Sequence, residues 1–325
     1  MTKTLHIQSQ PVGRDESSRE YLKALQDIGF FVSSDSKGNI QLAVSGDDPP
    51  AATLKVAEDI SVEDACPAVP ADAFSILKAL GFMKLEQELC DSVPQGHIVD
   101  QVIVGFNWTM VRAGELCGIA RSPDRGTEGA RTIRPPEGFV GKDLSTLAKY
   151  LLSTDSLHRS LGLACVNCYW NRVEPPDDAA AFEAPRGGLA SIDPPGEDAI
   201  IIGGFRGALR RLPKARIVER DPKPGDIPAS EAPKAYRSAK TLAITAQTLM
   251  NGSLTPILLA SHMVRYRILV GPSCPASPIF FDHGIDEVFG AIVLDPDAAE
   301  RFILESGTMI MLDHIATTRT LRASR

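Results

Sequence analysis

From Lys240 to Pro275 the chain alternates short apolar runs with polar loops. Thr241–Thr245 and Arg267–Val270 are brief, rich in β-branched residues and free of an apolar/polar alternation, the pattern of strands covered on both faces of a parallel sheet. Between them the pattern predicts a short helix over Pro256–Met263, with Thr255 as N-cap and Pro256 at the first helical position, where its missing N–H removes no bond. Two polar loops remain, AQTLMNGSL and GPSCPASP, each following a strand. The same alternation runs from residue 199 onward: strands at Ala199–Ile202, Ala215–Glu219 and Phe289–Leu294, and a helix near Asp297–Ser306. Strands too far apart for hairpins, with helical segments between, predict an α/β unit over 199–325: a parallel sheet with helices on both faces.

Upstream the periodicity changes. Residues 1–90 read as a small α+β extension, a packing or docking module. It has a helix over Ser18–Ile28, a hairpin of Phe30–Val32 and Ile40–Val44 around Asp35–Asn39, and one or two helices over Ala71–Leu89 broken at Gly81. Residues 91–172 read as a compact α+β unit: an antiparallel pair between His97 and Arg121 turning at Arg112–Glu115, then helices over Leu144–Leu152 and Ser156–Asn171. The second helix is so apolar that one face must be deeply buried. Residues 173–198, with five prolines and several acidic side chains, mark an interdomain connection.

Composition narrows the function classes. The net charge of -7 offers no field for nucleic acid, and the basic run Arg206, Arg210, Arg211, Lys214, Arg216 reads as a solvated face. No run of about 18 apolar residues and no apolar leader occurs, so a cytoplasmic chain that does not bind membranes is expected. Six cysteines without a secretory signal read as reduced thiols. A homo-oligomer stays open.

Ligands of open parallel sheets bind at the carboxyl ends of the strands, so the strand-end loops are the candidate site. Gly203, Gly204 and Phe205 follow the first strand, where glycines let backbone approach a ligand. Glu219 ends the next strand 16 residues after Gly203, near where dinucleotide-binding sheets carry a ribose-holding acid about 20 residues on. Thr245, Thr248 and Asn251 in one polar loop and Gly271 and Ser273 in the other offer hydroxyl, amide and backbone groups but no strong base, which suits holding a ligand. Asn167, an amide in an apolar helix, needs a partner that a ligand or the facing domain could supply. Cys165 and Cys168 lie at i and i+3 on one helix face, and Asp282 and His283 are adjacent; both are weak metal-ligand candidates because neither set comes with the further ligands a metal needs. No catalytic constellation names a reaction.

In order along the chain, VGFNWTMV, CGIA, SLGLACVNCYWN, IIGGF, IVERDPKPGDIP, TLAITAQTLMNGSL and LVGPSCPASPIFFDHGIDEVFGAIVLDP resemble the family of putative heavy-metal chelation proteins, once known only as a domain of unknown function. The resemblance spans about residues 95–313 and implies an enolase-N-terminal-like α+β domain joined to a Rossmann-like domain. It also implies a metal ion or metal-bearing small molecule in the cleft between them, with a transition-metal ion as the cofactor to consider. Cys165 and Cys168 stand where the family usually has small residues, and Cys274 where it often has threonine. Two further readings remain: an enzyme acting on a nucleotide-like ligand (a nucleotide, S-adenosylmethionine or a pterin) or a small organic substrate, and a scaffold whose first 90 residues dock a partner.

Overall fold

A computed structural model gives the fold over residues 3–8, 22, 25, 26, 30–37, 39–43, 52–57, 73–123, 134–153 and 155–324. The first sheet holds β1 (Lys3–Gln8), β2 (Phe31–Ser34), β3 (Ile40–Ala43) and β4 (Ala52–Ala57) in the order β1-β4-β3-β2. The β2–β3 hairpin is the expected one. The Asp35 carboxylate closes its turn by accepting from the amides of Lys37 (2.8 Å) and Asn39 (2.9 Å), the local bonding that makes Asp a turn residue. The sequence reading missed β1 and β4, short runs that pair in parallel across about fifty residues. The helix expected over 18–28 lies largely outside the described residues. Helices α1 (Ala73–Leu80) and α2 (Lys84–Asp91) are separated at Gly81, whose φ of 79° only glycine adopts without strain. They bury different faces: α1 packs Ile76, Leu77 and Leu80 against Leu42 and Leu54, whereas α2 turns Leu85, Leu89 and Cys90 into the core of the residues that follow.

The expected antiparallel pair is a three-stranded sheet, β5 (Gln101–Val104), β6 (Trp108–Ala113) and β7 (Leu116–Arg121), because the apolar run from Ile98 breaks at Gly105–Asn107 into a strand of its own. Helices α3 (Leu144–Ala148) and α4 (Ser156–Trp170) lie against it. Asp155 caps α4 by accepting from the amides of Leu157 (2.8 Å) and His158 (3.1 Å), a device worth about 1 kcal/mol. The helix is buried on nearly every side, between β7 on one face and α3 with its following turn on the other. Gly118 permits this closeness: a Cβ there would lie 2.1 Å from the Cys168 amide nitrogen, so strand and helix touch backbone to backbone.

The proline-rich stretch proves to be more than a connection. It forms α5 (Asp177–Ala180) and the short strand β8 (Glu183–Ala184), the outer edge of the large sheet. That sheet continues with β9 (Ala199–Ile202), β10 (Arg216–Glu219), β11 (Ile227–Pro228), β12 (Thr241–Thr245), β13 (Tyr266–Val270), β14 (Glu287–Val293) and β15 (Ala316–Arg322) in the order β11-β10-β9-β12-β13-β14-β15-β8. β9 to β14 are parallel, while β15 and β8 are antiparallel to their neighbours and make the sheet mixed. Numbered in chain order, the parallel strands lie 3-2-1-4-5-6, the doubly wound order whose direction reverses between β9 and β12.

Helices α6 (Ala232–Tyr236), α7 (Gln247–Asn251), α8 (Leu254–Ala260), α9 (Ile279–Asp282) and α10 (Pro296–Leu304) flank the sheet. Two differ from expectation. The stretch read as a polar loop after β12 contains α7, and α8 starts from Ser253 rather than Thr255, with Pro256 still in the first turn, where no amide partner is needed. A single core runs from α2 and α4 to the sheet through Leu85, Leu161, Ile200, Leu242, Leu269 and Val288.

Candidate functional site

The carboxyl ends of β9, β10 and β12 open into a cleft at the reversal point of the sheet, roofed by α6 and α8, with about 830 Å³ of empty space counting its mouth. That figure includes open solvent; the enclosed part is about 150 Å³, smaller than the roughly 300 to 1,000 Å³ of most small-molecule sites, so a ligand here would sit partly in the mouth. Its floor and roof are apolar: Ile202, Val218, Pro233, Tyr236, Pro256 and Ile257. Its polar groups come from strand ends and α7. Gly203 has φ 108°, and a Cβ there would lie 2.9 Å from the Thr245 Cβ, so only glycine lets β9 leave the sheet beside β12. Gly204 sits over the Glu219 side chain, and a Cβ on it would lie 3.4 Å from Oε1.

Glu219 is half-buried and forms no hydrogen bond or ion pair among the described residues. The nearby cation, Arg206, is engaged elsewhere: its guanidinium forks onto the Asp226 carboxylate, one bond at 2.9 Å, and holds that carboxyl below its usual range. Thr248 Oγ1 donates to the Thr245 carbonyl (2.7 Å), fixing the first turn of α7. Asn251 Oδ1 accepts from the Ser253 amide (3.0 Å) and hydroxyl (2.7 Å), which leaves its NH2 group to donate elsewhere. The cleft thus offers a carboxylate acceptor, side-chain amides and an apolar lining.

Of the residues singled out from sequence, Gly203, Gly204, Glu219, Thr245, Thr248 and Asn251 meet in this cleft. Phe205 and Gly271 lie apart, lining a second, apolar pocket with Val270 and Phe289. Ser273 and Asn167 lie in neither. Ser273 Oγ accepts from the Arg121 amide (2.8 Å), and Asn167 Nδ2 donates to the carbonyls of Ile119 (2.8 Å) and Ser273 (3.1 Å), so both fasten the α4 unit to the sheet. Carbonyls of β7 and of the loop after β13 thus satisfy the Asn167 amide nitrogen, while its buried Oδ1 has no partner among the described residues.

Sequence reading missed Gln247 and the apolar roof of α6. The Ala232-Pro233 step after a run of turn residues was the available signal for α6, since proline near a helix start is favoured.

The thiols form no site. Cys165 and Cys168 have no exposed surface, and burial pushes both far above the usual thiol range. Burial likewise pushes Cys90 and Cys117 up to about 12. Metal ligation needs thiolate, which these surroundings disfavour. His283 Nε2 bonds Glu88 Oε2 (2.6 Å) beside Asp282 in a groove between α2 and α9. Among the described residues no group of three or more His, Cys, Asp or Glu side chains is placed to hold a metal ion. The described residues therefore offer no ready-made ligand set for a heavy metal.

Two family models, each described as putative heavy-metal chelation, match residues 86–170 and 191–321. A structure of a protein with unknown function from Desulfitobacterium hafniense is 23% identical, with a TM-score of 0.65, and the match covers 75% of this chain and 98% of that one. A second, from Pyrococcus horikoshii, is 14% identical with a TM-score of 0.57, covering 74% and 99%. Both belong to the family whose model matches residues 191–321, and at these identities they show a shared fold. No curated protein matches the chain. No helix of the described residues is long and apolar enough to cross a membrane.

Proposed function

We propose that this chain, which belongs to the putative heavy-metal chelation family, holds a nucleoside-like organic molecule in the cleft between β9 and β12, and that any heavy metal arrives bound to that molecule. The observation that carries the reading is the donor set. The cleft combines an apolar lining with one carboxylate, Glu219, and side-chain amides, while no ligand cluster is assembled among the described residues. An acid at the end of the second strand of a doubly wound sheet is placed to accept from the two hydroxyls of a ribose, and the apolar lining suits a planar ring. The family's chelation then falls to the organic ligand's donor atoms, with the protein binding the complex.

A thermal-shift screen tests this, using adenosine, nucleotides, S-adenosylmethionine and pterins, each with and without cadmium or nickel ions. A ligand that binds only the folded state raises the melting temperature by mass action. At least one nucleoside-bearing or pterin compound should raise it, and Glu219→Ala should abolish that shift while leaving the unliganded stability within about 0.5 kcal/mol of wild type, as expected of a residue with no partner among the described residues. Stabilisation by the metal ion alone, unaffected by Glu219→Ala, would overturn it.

The same cleft supports a second reading as an enzyme on such a ligand. It contributes no residue placed as a strong general base, so binding is the function the geometry favours.

A further inference from the structure

Arg159 and Glu86 are among the most deeply buried charged side chains described, at 0% and 1% exposure, and neither touches the cleft. Arg159 extends from the first turns of α4 toward α7. Its Nε donates to the Met250 carbonyl (2.8 Å), one terminal nitrogen donates to the Leu249 carbonyl, and the same nitrogen lies 3.5 Å from Glu86 Oε1 on α2. Glu86 Oε2 has no hydrogen-bond partner among the described residues. A buried pair arranged this way is weak evidence for stability, because apolar residues of similar size would hold the same elements together as well or better. What apolar residues could not do is bond the last carbonyls of α7. That helix is only five residues long and ends at Gly252, with φ 77°, so its C-terminal carbonyls depend on donors from outside it.

The opposite side of α7 is the cleft wall, carrying Gln247, Thr248 and Asn251. We infer that Arg159 is a positioning residue for the ligand cleft: from the α4 unit it grips the back of α7 by two carbonyls, and Glu86 holds the guanidinium in place. The inference rests on the cleft-binding reading for its consequence on affinity, but the grip itself can be measured without ligand. It makes ligand binding depend on how α4, 91 residues before Met250, and α2, still earlier in the chain, are seated against the sheet.

The decisive variant is the double substitution Glu86→Leu with Arg159→Met, which removes both buried charges yet keeps the volume apolar. It should unfold within a few degrees of wild type. Hydrogen exchange followed by mass spectrometry should then show the amides of residues 247–253 exchanging at least tenfold faster, with α4 and β12 unchanged, and adenosine should bind at least tenfold more weakly. Arg159→Lys keeps the charge but reaches one carbonyl at most, and should give an intermediate acceleration confined to 247–253; this variant carries the test if the double one fails to fold. Wild-type protection at 247–253 in the double variant overturns the inference, as does acceleration spread evenly over the chain in Arg159→Lys. If wild type itself ignores adenosine while 247–253 still loosens, the positioning stands and the nucleoside reading fails.

Discussion

The helix Ser156–Trp170 and the cleft at the ends of β9, β10 and β12 are opposites. The helix carries the chemistry a metal chelator would advertise, two cysteines one turn apart, and seals it completely; the cleft carries nothing reactive by name and opens to solvent around a carboxylate that has no partner among the described residues. Side-chain identity is therefore a poor guide to function here, and exposure with unspent hydrogen-bonding capacity is the better one. A thiol with no exposed surface inside the main core is core, whatever its affinity for soft metals in water.

The contrast can be broken most forcefully at the weld between the two regions. Asn167→Leu leaves the Ile119 and Ser273 carbonyls without their donor and should cost about 3 kcal/mol in urea unfolding, two lost buried bonds plus imperfect fit. Ligand binding by the folded fraction should survive, since Asn167 lines no part of the cleft. A loss of binding without a loss of stability would put Asn167 in the site after all. A smaller effect is expected at the thiols. Cys165→Ala with Cys168→Ala should cost about 1–2 kcal/mol as small core cavities and should leave cadmium content after purification unchanged. A drop in bound metal would return the helix to the list of functional elements.

The smallest effect lies in the groove between α2 and α9. The hydrogen bond from His283 holds Glu88 below its ordinary value of 4.5. A carboxylate with a lowered folded pKa stabilises above that ordinary value and loses the contribution as pH falls through the lowered one. Melting temperature should thus fall more steeply below pH 4.5 in wild type than in Glu88→Gln. The difference should stay within about 1 kcal/mol, because Glu88 is 37% exposed and solvent screens the pair. Parallel pH curves would show that the pair contributes nothing.

The sheet was legible because its strands are short runs with mostly aliphatic interiors and polar residues only towards their ends, and β9, β10, β12, β13 and β14 were all located from that pattern. β15 was not: Ala316–Arg322 alternates threonine with arginine and becomes a strand only because β14 offers it an antiparallel edge. α7 hid for a related reason. Five residues of mixed polarity carry no helical period, and the helix is held from behind by Arg159, a contact no local pattern records. Six of the ten ligand candidates converge because strand-end position was enough to place them, and the same rule could not tell which side of the sheet Phe205 and Gly271 would face.

The central claim is that the cleft, and not the cysteines, holds what the protein binds. Native mass spectrometry of chain purified without chelators tests it directly, comparing wild type, Glu219→Ala and the Cys165→Ala, Cys168→Ala double variant. The account predicts an organic adduct of a few hundred daltons, with or without metal, on wild type and on the cysteine variant but absent from Glu219→Ala. A bare metal adduct that persists in Glu219→Ala and disappears with the two cysteines would contradict it.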